Sequence, residues 1–78
     1  MEKTIKELIL AKLGLYHDVK VSYDIDSEYY LINIDDWVYS AYKTVVDVLG
    51  AKKCIEVITD MFLEENKEDL DNEGNSTN

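Results

Sequence analysis

Between Gly14 and Val19 the hydrophobic period of this chain changes, and the change limits the class of fold it can adopt. Upstream, Ile5, Leu8, Ile9 and Leu13 recur at helical spacing and form one apolar face. Downstream, Val19, Val21, Tyr23 and Ile25 alternate with Asp18, Lys20, Ser22, Asp24 and Asp26. That is the two-residue period of a half-buried strand. A chain that carries both periods within one short domain must bury an amphipathic helix against a sheet, which predicts an α+β fold.

Local signals then set the expected element order. Thr4-Ile5-Lys6-Glu7 has the form of a capping box, so the first helix is expected over Thr4–Leu13, with Gly14 as a left-handed cap. A second alternating run, Tyr29 to Ile34, places Tyr30, Ile32 and Ile34 on one face and Tyr29, Leu31 and Asn33 on the other. The intervening Asp26-Ser27-Glu28 is too short for a crossover, so the strands should form an antiparallel hairpin. Asp35 or Asp36 can cap a second helix, in which Val38, Ala41, Tyr42, Val45, Val48 and Leu49 follow the helical period up to Gly50. A third helix is expected from Ala51 to about Glu65, with Cys54 or Ile55, Ile58, Met61 and Phe62 inward. The expected order is helix, antiparallel hairpin, helix, helix, with the helices on one face of a small sheet. Residues 1–65 would form one domain, and 66–78 a disordered acidic tail.

Composition excludes several functions. The chain has 78 residues, 8 Lys, no Arg and 17 Asp plus Glu, a formal charge of −9. Nothing here makes the positive footprint that draws a protein to phosphate backbones or anionic lipid, so neither direct nucleic-acid binding nor membrane association is expected. A single cysteine, Cys54, cannot form an internal disulfide, and no leader-like segment opens the sequence. A cytoplasmic location follows as an expectation, the host cytoplasm if the chain is phage-encoded. Asn75-Ser76-Thr77 matches a glycosylation acceptor, but nothing else points to secretion.

Asp24, Asp26 and Glu28 alternate like the first ligands of a calcium loop, yet the position that needs Gly holds Tyr29 and the flanks read as strands. His17 and Cys54 are the only imidazole and thiol, and no pair has zinc spacing. Cys54 falls on an inward or border helix face, where thiols behave as small hydrophobes. With no nucleophile elbow, phosphate-binding loop or dinucleotide fingerprint, the chain is expected to be no enzyme and to hold no metal or cofactor.

The acids are more informative as a surface. Glu56, Asp60 and Glu64 stand four residues apart on the third helix, which sets them about 6 Å apart along one stripe. Asp24, Asp26 and Glu28 surround the hairpin tip. Residues 1–65 hold 13 acids and 7 Lys, against 4 acids and 1 Lys in 66–78, so the negative field belongs to the domain and not only to the tail. Such a field either keeps a small protein soluble or steers it onto a basic surface. Six Tyr add recognition chemistry. Tyr29, Tyr39 and Trp37 do not match the core stripe, whereas Tyr23, Tyr30 and Tyr42 do. Tyr29 and Trp37 are therefore the candidate aromatic anchors.

A short acidic chain without Arg, with this element order over residues 2 to 65, resembles the small inhibitors of phages and mobile elements, the anti-CRISPR and anti-restriction proteins. The resemblance lies in size, charge and element order. It implies a protein-binding inhibitor that occludes the basic nucleic-acid-binding surface of a defence or nucleic-acid-processing enzyme, some such inhibitors imitating DNA charge. The residues expected to act are Asp24, Asp26, Glu28, Glu56, Asp60 and Glu64 for electrostatics, with Tyr29 and Trp37 as anchors. The alternative is a structural or assembly subunit that docks through an aromatic face, as a monomer or a homodimer.

Overall fold

A computed structural model describes residues 1–76, with side chains described for residues 1–66. Its element order is α1 (Glu2–Leu13), β1 (Val19–Asp24), β2 (Tyr29–Ile34), β3 (Trp37–Tyr42), α2 (Lys43–Leu49) and α3 (Ala51–Ser76). The fold is α+β, with the helices packed against a three-stranded antiparallel sheet of order β1-β2-β3. Beyond Asn66, the tail expected over 66–78 lies outside the residues described in full.

Helix α1 starts three residues earlier than a capping box at Thr4 would place it. Met1 is the N-cap, without a side-chain bond, and Thr4 lies inside the first turn. Its C-terminus is closed by the Gly14 N–H on the Leu10 carbonyl at 2.9 Å. Gly14 has φ 114° and ψ 153°, an extended positive-φ conformation and not the expected left-handed cap. Only glycine reaches that region without strain.

The largest correction concerns residues 35 to 42. The helix expected from Asp35 or Asp36 begins only at Lys43, and Trp37–Tyr42 is a third strand paired with β2, Ile34 opposite Trp37 and Tyr29 opposite Tyr42. Val38, Ala41, Tyr42 and Val45 satisfy a helical period, but Trp37, Tyr39 and Ala41 equally satisfy an alternating one, and only one of them can face the core. The exposures decide: Val38 and Tyr42, inward in the helical reading, are each 60% exposed. Trp37, Tyr39 and Ala41 pack on the core instead. The physical reason is the centre of the sheet. Strand β2 buries Ile32 and Ile34 completely, and without β3 one of its edges would be left without a partner strand. Asp35-Asp36 forms the two-residue turn that permits the pairing, with Asp35 at φ 55°, a region Asp tolerates better than most residues.

One core joins the layers. Ile5, Ile9 and Leu13 of α1 meet Val19, Tyr30, Ile32 and Ile34 of the sheet, and Val46, Ile55, Ile58 and Phe62 close it from α2 and α3. Two details of α3 differ from expectation. Met61 is 44% exposed, and its inward place is taken by Thr59, fully buried. The Thr59 hydroxyl donates to the carbonyls of Ile55 and Glu56 at 2.7 and 3.1 Å, so it enters the core without an unpaired polar atom.

Candidate protein-binding surfaces

The hairpin tip is built around Asp24. Its Oδ1 accepts the N–H groups of Asp26 at 3.0 Å and Ser27 at 3.2 Å, an Asx-type turn, while the Glu28 N–H reaches the Asp24 carbonyl at 2.8 Å. Glu28 sits at φ 56°, and its carbonyl accepts the Lys43 N–H at 2.9 Å, which ties the tip to the start of α2. The Asp24 carboxylate therefore holds the loop, and the outward charge at this end belongs to Asp26 and Glu28, both exposed.

The α3 stripe is arranged less uniformly than its spacing suggests. Glu56, Asp60 and Glu64 are all exposed. Lys12 of α1, however, donates to Asp60 Oδ1 at 2.6 Å and to the Glu56 carbonyl at 3.3 Å. The central carboxylate of the stripe is neutralised and pins α1 to α3, so charge is left at Glu56 and Glu64. Lys12 and Asp60 are 48 residues apart, and no local signal could have paired them. The Lys43–Asp47 pair at 2.8 Å, four residues apart on α2, was legible from spacing. Its hydrogen bond to Asp47 raises the Lys43 pKa. Among the described residues Asp26, Glu28, Glu56 and Glu64 make no ion pair.

The two candidate anchors lie on opposite faces of the sheet. Tyr29 is half-buried on the outer face, its ring 6.2 Å from that of Tyr42 across the β2–β3 pair. Leu31, Asn33, Ser40 and Val38 share that face, and no residue of the buried core belongs to it. Trp37 is half-buried on the inner face, packed against the core. The two do not form one patch.

His17 and Cys54 are also apart. The His17 Nδ1 lies 2.8 Å from Asp35 Oδ2, and its ring meets Phe62 edge-on at 5.6 Å. Asp35 Oδ1 accepts the Asp18 N–H at 2.9 Å, so one carboxylate fastens the α1–β1 connection to the β2–β3 turn. The hydrogen bond to His17, and then that from Asp18, hold the Asp35 pKa below its ordinary value. Cys54 is buried two helical turns before Phe62, its thiol 3.8 Å from the Val45 carbonyl. The Tyr39 hydroxyl is buried with no hydrogen-bond partner among the described residues, and burial, then Glu65, raises its pKa. Among the described residues no three His, Cys, Asp or Glu side chains converge as a metal site, and no helix is long and apolar enough to cross a membrane. Comparison with protein-family models, with curated proteins and with solved structures finds no match for this chain.

Proposed function

We propose that this chain is a non-enzymatic, acidic protein-binding inhibitor that occludes a basic nucleic-acid-binding surface of a defence or nucleic-acid-processing enzyme. The observation that carries this reading is two exposed carboxylate sets on fixed backbone that make no ion pair among the described residues, Asp26 and Glu28 on a hydrogen-bonded hairpin tip and Glu56 and Glu64 on α3. Carboxylates carried on fixed backbone avoid the cost of ordering the main chain on meeting Lys or Arg of a target, and a duplex presents a charge every ~1.7 Å of axis to the same basic surface. Asp24 and Asp60 serve the scaffold and contribute through the summed field. Tyr29 adds apolar contact area beside the tip. The separation of His17 from Cys54, and the bond of the thiol to a carbonyl, support a binding role over thiol chemistry.

Immobilised protein exposed to host lysate, eluted by a salt step and then by excess duplex DNA, tests the reading. Nucleic-acid enzymes should leave in the salt step and be displaced by DNA, and the double variant Glu56→Lys/Glu64→Lys should not retain them. Retention unchanged by that variant and by Asp26→Lys/Glu28→Lys would remove the electrostatic basis.

The alternative, an assembly subunit docking through an aromatic face, is supported by the open outer face with Tyr29, Leu31 and Tyr42. It predicts salt-resistant partners lost on Leu31→Lys.

A further inference from the structure

Strand β3 is an edge of the sheet, and part of its main chain has no strand to bond. The two-residue turn makes Ile34 and Trp37 a hydrogen-bonded pair, and the Lys43 N–H bond to the Glu28 carbonyl shows the same parity at the other end of the strand. Trp37, Tyr39 and Ala41 therefore turn their backbone groups toward β2, and Val38 and Ser40 turn theirs to the open edge. None of the six residues of β3 is charged and none is Pro, the devices that usually keep another strand off an edge.

Beside this edge runs an apolar groove of about 260 Å³ between β3 and the two following helices, with Tyr42, Val45, Leu49, Val57 and Met61 among its lining. Each of these five is between 42% and 60% exposed. The charge along it is graded. At the α2 end, Lys43 and Asp47 neutralise one another. At the other end, Val57 and Met61 also line a second depression of about 500 Å³, whose remaining walls are Asp60, Glu64 and Glu65. Asp60 is held by Lys12, whereas Glu64 and Glu65 make no ion pair among the described residues. Burial and then Glu65 raise the pKa of the Tyr39 hydroxyl, so this acid acts on β3 itself. Among the described residues no Lys lines either depression. The apolar floor thus runs into an acidic one along the open edge.

We propose that this edge and groove take up an extended basic segment of a partner protein as a fourth strand, its apolar side chains over Val57 and Met61 and its Lys or Arg beside Glu64 and Glu65. Each feature selects part of that occupant. The main-chain groups of Val38 and Ser40 suit a strand, which returns N–H and C=O groups at the same spacing. Alternate residues of an added strand face the helices, so the floor calls for an apolar residue at every second position. Acids at one end of the groove call for cations at one end of the segment. The same acids repel a second copy, which carries −9 overall and no cation on its own β3. The inference shares with the inhibitor reading only the demand for a basic partner, and it does not require that the partner handle nucleic acid.

A phage-displayed library of random dodecapeptides, selected on the immobilised full chain at low salt, tests this. Enriched peptides should alternate apolar with other residues and carry Lys or Arg toward one end. A synthetic copy of the enriched sequence should protect the Val38 and Ser40 amides from hydrogen exchange, the signature of an added strand. Glu64→Lys/Glu65→Lys and Met61→Lys should each raise its dissociation constant at least about tenfold, with the circular dichroism of the free chain unchanged. Glu2→Lys/Glu7→Lys, an equal change of charge at exposed positions of α1, should alter it far less. Apolar residues enriched at helical spacing, or Val38 and Ser40 amides left unprotected, overturn strand addition. Enrichment of acidic or uncharged peptides, or of none, overturns the basic occupant. Failure here while Glu56→Lys/Glu64→Lys still abolishes capture from lysate leaves the inhibitor reading standing without this site. Peptides selected as expected, with no nucleic-acid enzyme captured, leave this site standing without that reading.

Discussion

Single residues fix the joints between elements. Asp35 holds a turn at positive φ, accepts the Asp18 N–H and bonds His17, so one side chain registers two connections that are 17 residues apart. Asp35→Ala should destabilise the fold by about 1 kcal/mol, less than a buried pair because the site is partly exposed. Asp35→Asn, which keeps an acceptor for Asp18, should lose less, and urea titration of both variants reads the difference. The lowered Asp35 pKa implies that its contribution is complete above the ordinary value of 3.8 and is lost as pH falls through the lower folded-state value. The wild type should therefore lose more stability than Asp35→Ala on acidification below about pH 4. Gly14 and Gly50, at φ 114° and 90°, occupy a region other residues enter only with strain. Nothing stands within 4 Å of a Cβ at Gly50, and at Gly14 the nearest atoms belong to the exposed, movable Tyr16 ring. Both Gly→Ala variants should thus lose a similar ~1–3 kcal/mol, from backbone conformation and not from contact. The Gly14 and Gly50 boundaries were legible in the sequence. Asp35 as a link was not, because its partners come from a distant segment.

Among the elements, the sheet carries the specificity of the fold. Ile32 and Leu31 are neighbours on β2, yet Ile32 is completely buried and Leu31 faces outward. Ile32→Ala should cost about 2–5 kcal/mol, comparable with the whole stability expected of a domain this size, whereas Leu31→Ala should cost below about 1. Thermal denaturation of the pair checks whether the alternation read from the sequence is the one that holds the core. The β3 segment shows where periodicity fails as a guide. Its residues fit two periods, and the choice was made by β2, whose second edge had to be paired. The α3 stripe shows the same limit for charge: its spacing was legible, but Lys12 reached Asp60 from another helix. Removing either partner of this exposed pair should change stability by no more than about 1 kcal/mol, and a double-mutant cycle would isolate the coupling.

Across the whole molecule, the net charge opposes compaction and steers association. Raising salt from about 0.05 to 0.5 M should increase the melting temperature by screening self-repulsion, the opposite of its expected effect on capture of a basic target. Among the described residues, the hairpin tip and α3 each carry acids that make no ion pair, and Tyr42, Val45, Leu49, Val57 and Met61 leave apolar surface exposed beside β3.

The sequence by itself determined the α+β class, the first helix, the β1–β2 hairpin with its inward and outward faces, and the acidity, because these rest on local periods and on composition. Only the tertiary structure decided that residues 37 to 42 form a strand, that Trp37 turns inward and Tyr42 outward, and that Asp60 is neutralised. Each of these follows from a partner outside the segment itself, the open edge of β2 or a lysine on another helix, and a local pattern cannot specify what will pack against it.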